Sequence, residues 1–201
     1  GIPAGSGETN VVLLEDSVQH RKGPYSRIFP QQSHNSDIYN ECVRPLLLRD
    51  TLQGRAACVF CYGHTASGKT HTMMGCKAES GVAVLAISEL CKIVDSSRRV
   101  HVSFTEFYNG HVYDLLDGHT ECFLREDANG SLHMRGAAVL DHATGAVHVP
   151  QVRAVHVATA EDISSLIQSG FKMRAAGVSS QNDTSSRSHA VIKLEIVSEE
   201  L

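Results

Sequence analysis

Residues 63–70 read GHTASGKT and follow the apolar run AACVFCY at 56–62. Gly63, four residues, Gly68, Lys69 and Thr70 complete the pattern G-x-x-x-x-G-K-T. No other stretch restricts the architecture so tightly, because this pattern works chemically only as a turn between a strand and a helix. Glycines let backbone N–H groups point inward at phosphate oxygens where a side chain would block approach. Lys69 places a positive charge on the outer phosphates, and the Thr70 hydroxyl is the type of group that holds magnesium. A helix beginning near Lys69 adds its positive end to the anion site. The alternative is a glycine-marked turn with no ligand. Context selects the first reading: Ala56–Tyr62 is short, apolar and partly β-branched, as a buried parallel strand requires, and THTMM suits a first helical turn.

The remaining chain alternates strand-like and helix-like segments. Val11–Leu14 and Tyr25–Phe29 read as short strands. Ser36 is placed to cap a helix to about Arg49, with Ile38, Tyr39, Cys42, Val43 and Leu46 on one face and Gly54 past its end. Gly81–Val94 carries apolar residues at helical spacing, and Val100, Val102 and Phe104 alternate as a strand. Thr159-Ala-Glu-Asp162 is a capping box opening a helix through Ile163, Leu166 and Ile167, and Val191–Val197 reads as a further strand. Such alternation predicts an α/β fold of the P-loop NTPase type: a mixed, largely parallel central sheet with helices on both faces. Turn signals at Asn129-Gly130 and Thr144-Gly145 predict β-hairpins appended to that sheet. Arg125, Arg135 and Arg153 are spread through this region, which favours a solvated edge over a contact surface.

Composition narrows the class. The chain has 201 residues, 42% hydrophobic and 20% charged, enough for one domain with a sizeable core. A net charge of −4 gives no general attraction to nucleic acid or anionic membrane, and no apolar stretch has the length of a membrane span. These features predict a cytoplasmic protein with neither nucleic acid nor membrane as partner. Six cysteines fit a reducing compartment. Cys58-Val-Phe-Cys61 is formally a C-x-x-C, yet no second pair completes a zinc site, and residues three apart on a strand point to opposite faces. The opening GIPAGSGETN is small and polar, so residues 1–10 are expected to form a flexible end.

A second stretch, NDTSSRSH at 182–189, is a loop rich in hydroxyls with one arginine, the inventory for touching a phosphate, a metal and a carboxylate. A plain polar loop with a local hydroxyl turn is the competing reading.

Taken with FCYGHTASGKTHTMMG, NDTSSRSH resembles the first switch of the kinesin motor domain, N-x-x-S-S-R-S-H. FTEFYNGHVYDLL at 104–116 is similar to the family's strand ending in Tyr-Asp-Leu-Leu, and LREDANG at 124–130 matches a characteristic turn. SRIFPQQSHNSDIYNECVRPLL resembles the segment leading into the phosphate loop. The matches follow the family's order from about residue 25 to residue 197. There are departures: no Arg-x-Arg-Pro lies near Pro3, Gly110 stands where an acidic residue is usual, and 131–145 reads as an insertion. The family's second switch, Asp-x-x-Gly-x-Glu, occurs nowhere in the 201 residues, so 1–201 is expected to be a single but incomplete motor domain.

The resemblance implies an ATPase that uses ATP/ADP with Mg2+ and moves along or remodels microtubules, hence a place on the cytoplasmic cytoskeleton. It implies that Gly63, His64, Thr65, Ala66, Ser67, Gly68, Lys69 and Thr70 wrap the phosphates, with Tyr62 and His71 near the adenine. Ser185 and Ser186 would approach the γ-phosphate and, with Thr70, the Mg2+. Asn182 would support the loop, and Arg187 would pair with the glutamate of the second switch. Oligomeric state would be set by segments outside this sequence. A kinesin-like module that binds nucleotide or microtubules without hydrolysis, and an unrelated P-loop nucleotidase, are the alternatives.

Overall fold

The structure, a computed structural model, describes residues 9–15, 18–176 and 188–198. Strands β1 (Thr9–Glu15) and β2 (Val18–Tyr25) form a separate antiparallel pair. The main sheet has the order β10-β3-β4-β5-β6, from Ser188–Ser198, Arg98–Tyr108, His111–Asp114, Thr120–Glu126 and Leu132–Gly136. The short β9 (Val155–Val157) pairs with the first half of β3, on the edge whose second half is taken by β4. β7 (Val139–Leu140) and β8 (Val147–His148) make a small hairpin of their own.

The core forms where the period-two pattern of β3 meets helical stripes. Val100, Val102 and Phe104 alternate on one face and are at most 1% exposed. Against that face lie Val82, Ala86, Ile87 and Leu90 of α4 (Val82–Ile93) and Ile163 and Leu166 of α5 (Ala160–Ala176). The same cluster takes in Tyr39, Val43 and Leu47 from the run α1 (Asn35–Ile38), a π-helical turn (Tyr39–Val43) and α2 (Arg44–Arg49). The turn widens just before Pro45, which has no N–H to return to the preceding turn. α5 comes unusually close to the sheet, because a Cβ at Gly170 would lie 2.3 Å from Cδ1 of Phe104. Its start is the reciprocal cap the sequence predicts: Asp162 N–H donates to Thr159 Oγ1 (3.1 Å) and Thr159 N–H to Asp162 Oδ2 (2.9 Å).

Several expectations are corrected. The sheet is not largely parallel: each described pairing is antiparallel. β3, β4, β5 and β6 are joined in turn by hairpins, and a hairpin can only reverse the chain. The β3–β4 link is the two-residue turn Asn109-Gly110, both at positive φ (50° and 83°), which accounts for glycine at 110. The crossover β9–α5–β10 does carry two strands running the same way, but β3 lies between them. Among the described residues the helical core lies on the Val100–Phe104 face, while Val191 and Val197, on the other face of β10, are 44% and 37% exposed. Ala56–Tyr62 is not a buried strand; it has no ladder partner among the described residues, and Phe60 is 80% exposed. Tyr25 ends β2 instead of opening a strand to Phe29, the first helix begins at Asn35 without a Ser36 cap, and Cys42 is exposed. The hairpins turning at Asn129-Gly130 and Thr144-Gly145 are present; the first extends the main sheet and the second stands apart from it.

Candidate functional site

The loop 63–68 is exposed and leads directly into α3 (Lys69–Met74). Ala66 and Gly68 hold left-handed backbone (φ 65° and 88°), and Ser67 N–H returns to His64 O at 3.2 Å. Gly68 thereby occupies the position before the helix where glycine carries no side-chain penalty. The Lys69 ammonium folds back over the loop, donating to Gly63 O (2.8 Å) and His64 O (2.6 Å). A cation held, among the described residues, by two carbonyls at the mouth of a glycine-rich loop has the chemistry to exchange those acceptors for phosphate oxygens. The residues present thus fit a nucleotide's phosphates. The Thr70 hydroxyl, on the exposed first turn of α3, is a suitable oxygen donor for a magnesium ion.

The base-side candidates differ from one another. Tyr62 is 96% exposed. His71 is engaged by protein: its Nε2 lies 3.6 Å from Glu79 Oε2, and its carbonyl accepts from Asn35 Nδ2 at 3.0 Å. Glu79 also meets His34 Nδ1 (3.4 Å) and accepts from the N–H of Asn35, which is buried. These contacts tie α3 to the start of α1, so the loop 63–68 is held from behind.

Of NDTSSRSH, Ser188 and His189 are described; Asn182, Ser185, Ser186 and Arg187 lie outside the described residues. Ser188 leads to a cluster that sequence reading missed. Glu106, in mid-β3, is 5% exposed and is met from three elements. Arg174 of α5 donates through Nε to Glu106 Oε1 (2.9 Å) and through Nη2 to Ser188 Oγ (2.7 Å). His119 Nε2 lies 3.2 Å from Glu106 Oε2, with its ring stacked on Tyr113 at 4.3 Å. Burial alone would raise the Glu106 carboxyl, but hydrogen bonds from Ser188, His119 and Arg174 and the guanidinium charge hold it below the ordinary carboxylate range. The available signal was a single acid inside the apolar strand VSFTEFY.

Asp114, the acid of Tyr-Asp-Leu-Leu, is 2% exposed and structural. It accepts the N–H of Leu116 (2.9 Å) and of Arg153 (2.6 Å), joining β4 to the segment before β9. Burial pushes its carboxyl up despite those bonds.

Comparison with known proteins agrees with the motif pattern. The family model described as "Kinesin motor domain" matches residues 5–201. A kinesin-like protein KIF24 of Mus musculus is 31% identical over 212 residues, covering 94% of this chain and 14% of its own length. Kinesin-like protein KIN-8A of Oryza sativa subsp. japonica is 32% identical, covering 94% of the chain and 23% of its own length. KIN-8A of Arabidopsis thaliana is 34% identical, with 92% and 24% covered. The chain thus spans less than a quarter of the length of these relatives. A solved structure of a fast kinesin superposes with a TM-score of 0.75 over 96% of this chain and 52% of that one, at 23% identity, which establishes likeness of fold.

Proposed function

As the chain belongs to the kinesin motor-domain family, we propose that it forms the nucleotide-binding part of a microtubule-dependent ATPase motor. The observation that carries this reading is the Lys69 ammonium held by the carbonyls of Gly63 and His64 at the mouth of a loop that leads into a helix. In the proposed site Lys69 pairs with the outer phosphates of ATP or ADP, while amides of residues 63–70 cradle them. Thr70 and Ser186 hold Mg2+, Ser185 approaches the γ-phosphate, and Asn182 and Arg187 support that arrangement. Tyr62 and His71 flank the adenine, His71 presenting the half-exposed ring that Glu79 orients. Catalysis of this type is positioning and charge stabilisation around a loose transition state, with little covalent work for the protein.

The partner is the microtubule and the location the cytoplasmic cytoskeleton, with neither nucleic acid nor membrane as a ligand. The net charge of −4 gives no general attraction to nucleic acid or anionic membrane, and no described helix is long and apolar enough to cross a membrane. The test is titration with fluorescent ADP and ATP beside Lys69→Ala. A charge-assisted contact contributes about 1.5–3 kcal/mol, so affinity should fall roughly tenfold to a hundredfold. Equal affinity of the two proteins would sink the assignment. Phosphate release with and without microtubules then separates a motor from a module that binds without hydrolysis.

A further inference from the structure

Residues 75–81, which join α3 to α4, form a turn closed by its own backbone. Cys76 N–H donates to Glu79 O at 2.7 Å, Glu79 N–H donates to Cys76 O at 3.3 Å, and Gly75 is bridged to Ser80. The two ends abut: a Cβ at Gly75 would lie 2.2 Å from Glu79 O, and one at Gly81 2.3 Å from the Met74 carbonyl carbon. With φ 85° at Gly75 besides, the turn needs glycine at both ends. Glu79 is thereby fixed through its main chain, and its carboxylate returns to the first turn of α3, where three residues close a triangle. Asn35, 3% exposed, gives its N–H to Glu79 and its Nδ2 to His71 O (3.0 Å), while Glu79 Oε2 lies 3.6 Å from His71 Nε2. Gly75 N–H adds a second bond to the same carbonyl at 2.8 Å. His34, the more exposed partner, places Nδ1 at 3.4 Å from Glu79 Oε1. His71 itself stands two residues after Lys69, with its ring half-exposed. Exposed ion pairs contribute little to stability, so what the triangle supplies is orientation of that ring.

We propose that Glu79 is a positioning residue for base recognition: from the closed turn it holds the His71 ring where a nucleotide bound through Lys69 places its base. The proposal rests on the nucleotide-binding reading above. Because Glu79 acts through a ring and not on the loop 63–68, its effect shows as preference for a nucleotide over the same phosphates without a base.

The experiment displaces ribose-labelled ADP with ADP and with inorganic pyrophosphate, which has the phosphates and no base. It uses the wild-type chain, Lys69→Ala, His71→Ala, Glu79→Gln and the double variant of His71→Ala with Glu79→Gln. Lys69→Ala should weaken both ligands. His71→Ala should lower the ADP-to-pyrophosphate affinity ratio by about two- to tenfold, the range for one aromatic stacking contact. Glu79→Gln keeps an oxygen for Asn35 N–H but loses the charge facing the ring, and should lower the ratio in the same direction by a smaller factor. On top of His71→Ala it should lower the ratio no further, since its effect passes through that ring. Glu79→Asp, which draws the carboxylate back by one methylene, carries the test if Glu79→Gln does not fold. A Glu79 variant that weakens both ligands together and leaves the ratio alone has only loosened α3, and overturns the proposal. A wild-type chain that binds neither ligand overturns both readings. Binding that Lys69→Ala weakens, with a ratio unchanged in Glu79→Gln or lowered equally with and without His71, overturns this one alone.

Discussion

Gly170→Ala sets two effects of opposite sign against each other. In a helix interior alanine is favoured over glycine by up to about 1 kcal/mol, so propensity alone predicts a more stable protein. At this position the added Cβ would stand 2.3 Å from Cδ1 and 2.5 Å from Cε1 of Phe104. Carbon atoms sit comfortably at about 3.5–4.0 Å, so helix and ring must separate by roughly 1 Å or more. The ring has nowhere to go: Phe104 is 0% exposed and meets Phe171 edge-on at 5.7 Å. Overpacking of a closed core costs typically about 1–3 kcal/mol, which exceeds the propensity gain. The expected net loss is about 1–2 kcal/mol, or a melting temperature lower by roughly 2–8 °C for a chain of this size. Thermal and urea unfolding followed by circular dichroism measure it. In a Phe104→Leu background, where the ring is gone, Gly170→Ala should cost about 1 kcal/mol less, since contacting residues are not additive. A Gly170→Ala protein that melts at or above wild type in both backgrounds would refute the close approach of α5 to β3.

Three further outcomes follow from particular contacts. Because Glu106 titrates below its ordinary value of 4.5 in the fold, its ionised form stabilises the protein above that pH, and the contribution is lost as pH falls through the lower folded value. The stability gap between wild type and Glu106→Gln should therefore shrink as pH falls below about 4.5 and through the lower folded value in urea titrations; a gap that stays constant contradicts the charge assignment. Asp114→Ala strands two backbone N–H groups, at Leu116 and Arg153, and should cost about 1–3 kcal/mol or more by the same measurement; a loss below half a kcal/mol, roughly the surface range, would refute it. Phe60→Ser, at a side chain 80% exposed, should leave the melting temperature within about 1 °C while reducing concentration-dependent association in sedimentation velocity. A large fall in melting temperature would show that Phe60 is packed.

What could be read from the sequence depended on the range of the interaction that encodes it. The Thr159–Asp162 cap, the glycine turns at 130 and 145, the stripe of α4 and the alternation of β3 each rest on residues within a turn or a pleat of one another, and their patterns are visible as letters. The loop 63–68 belongs with them, because the left-handed backbone at Gly68 and the helix that starts at Lys69 are adjacent in the chain. Strand partnership is different. An apolar run such as Ala56–Tyr62 has the composition of a buried strand, but a strand exists only where a neighbour offers its backbone, and none of the described strands does so. The alternation of strand and helix likewise suggested parallel neighbours, whereas hairpins laid β4, β5 and β6 out in antiparallel succession from β3, and long-range pairing put β3 between β9 and β10. Glu106 shows the same limit at a single residue: in VSFTEFY it is one acid among apolar letters. Its partners are 13, 68 and 82 positions away at His119, Arg174 and Ser188, and the turn after β4, the docking of α5 and the pairing of β10 with β3 together bring them to one carboxylate.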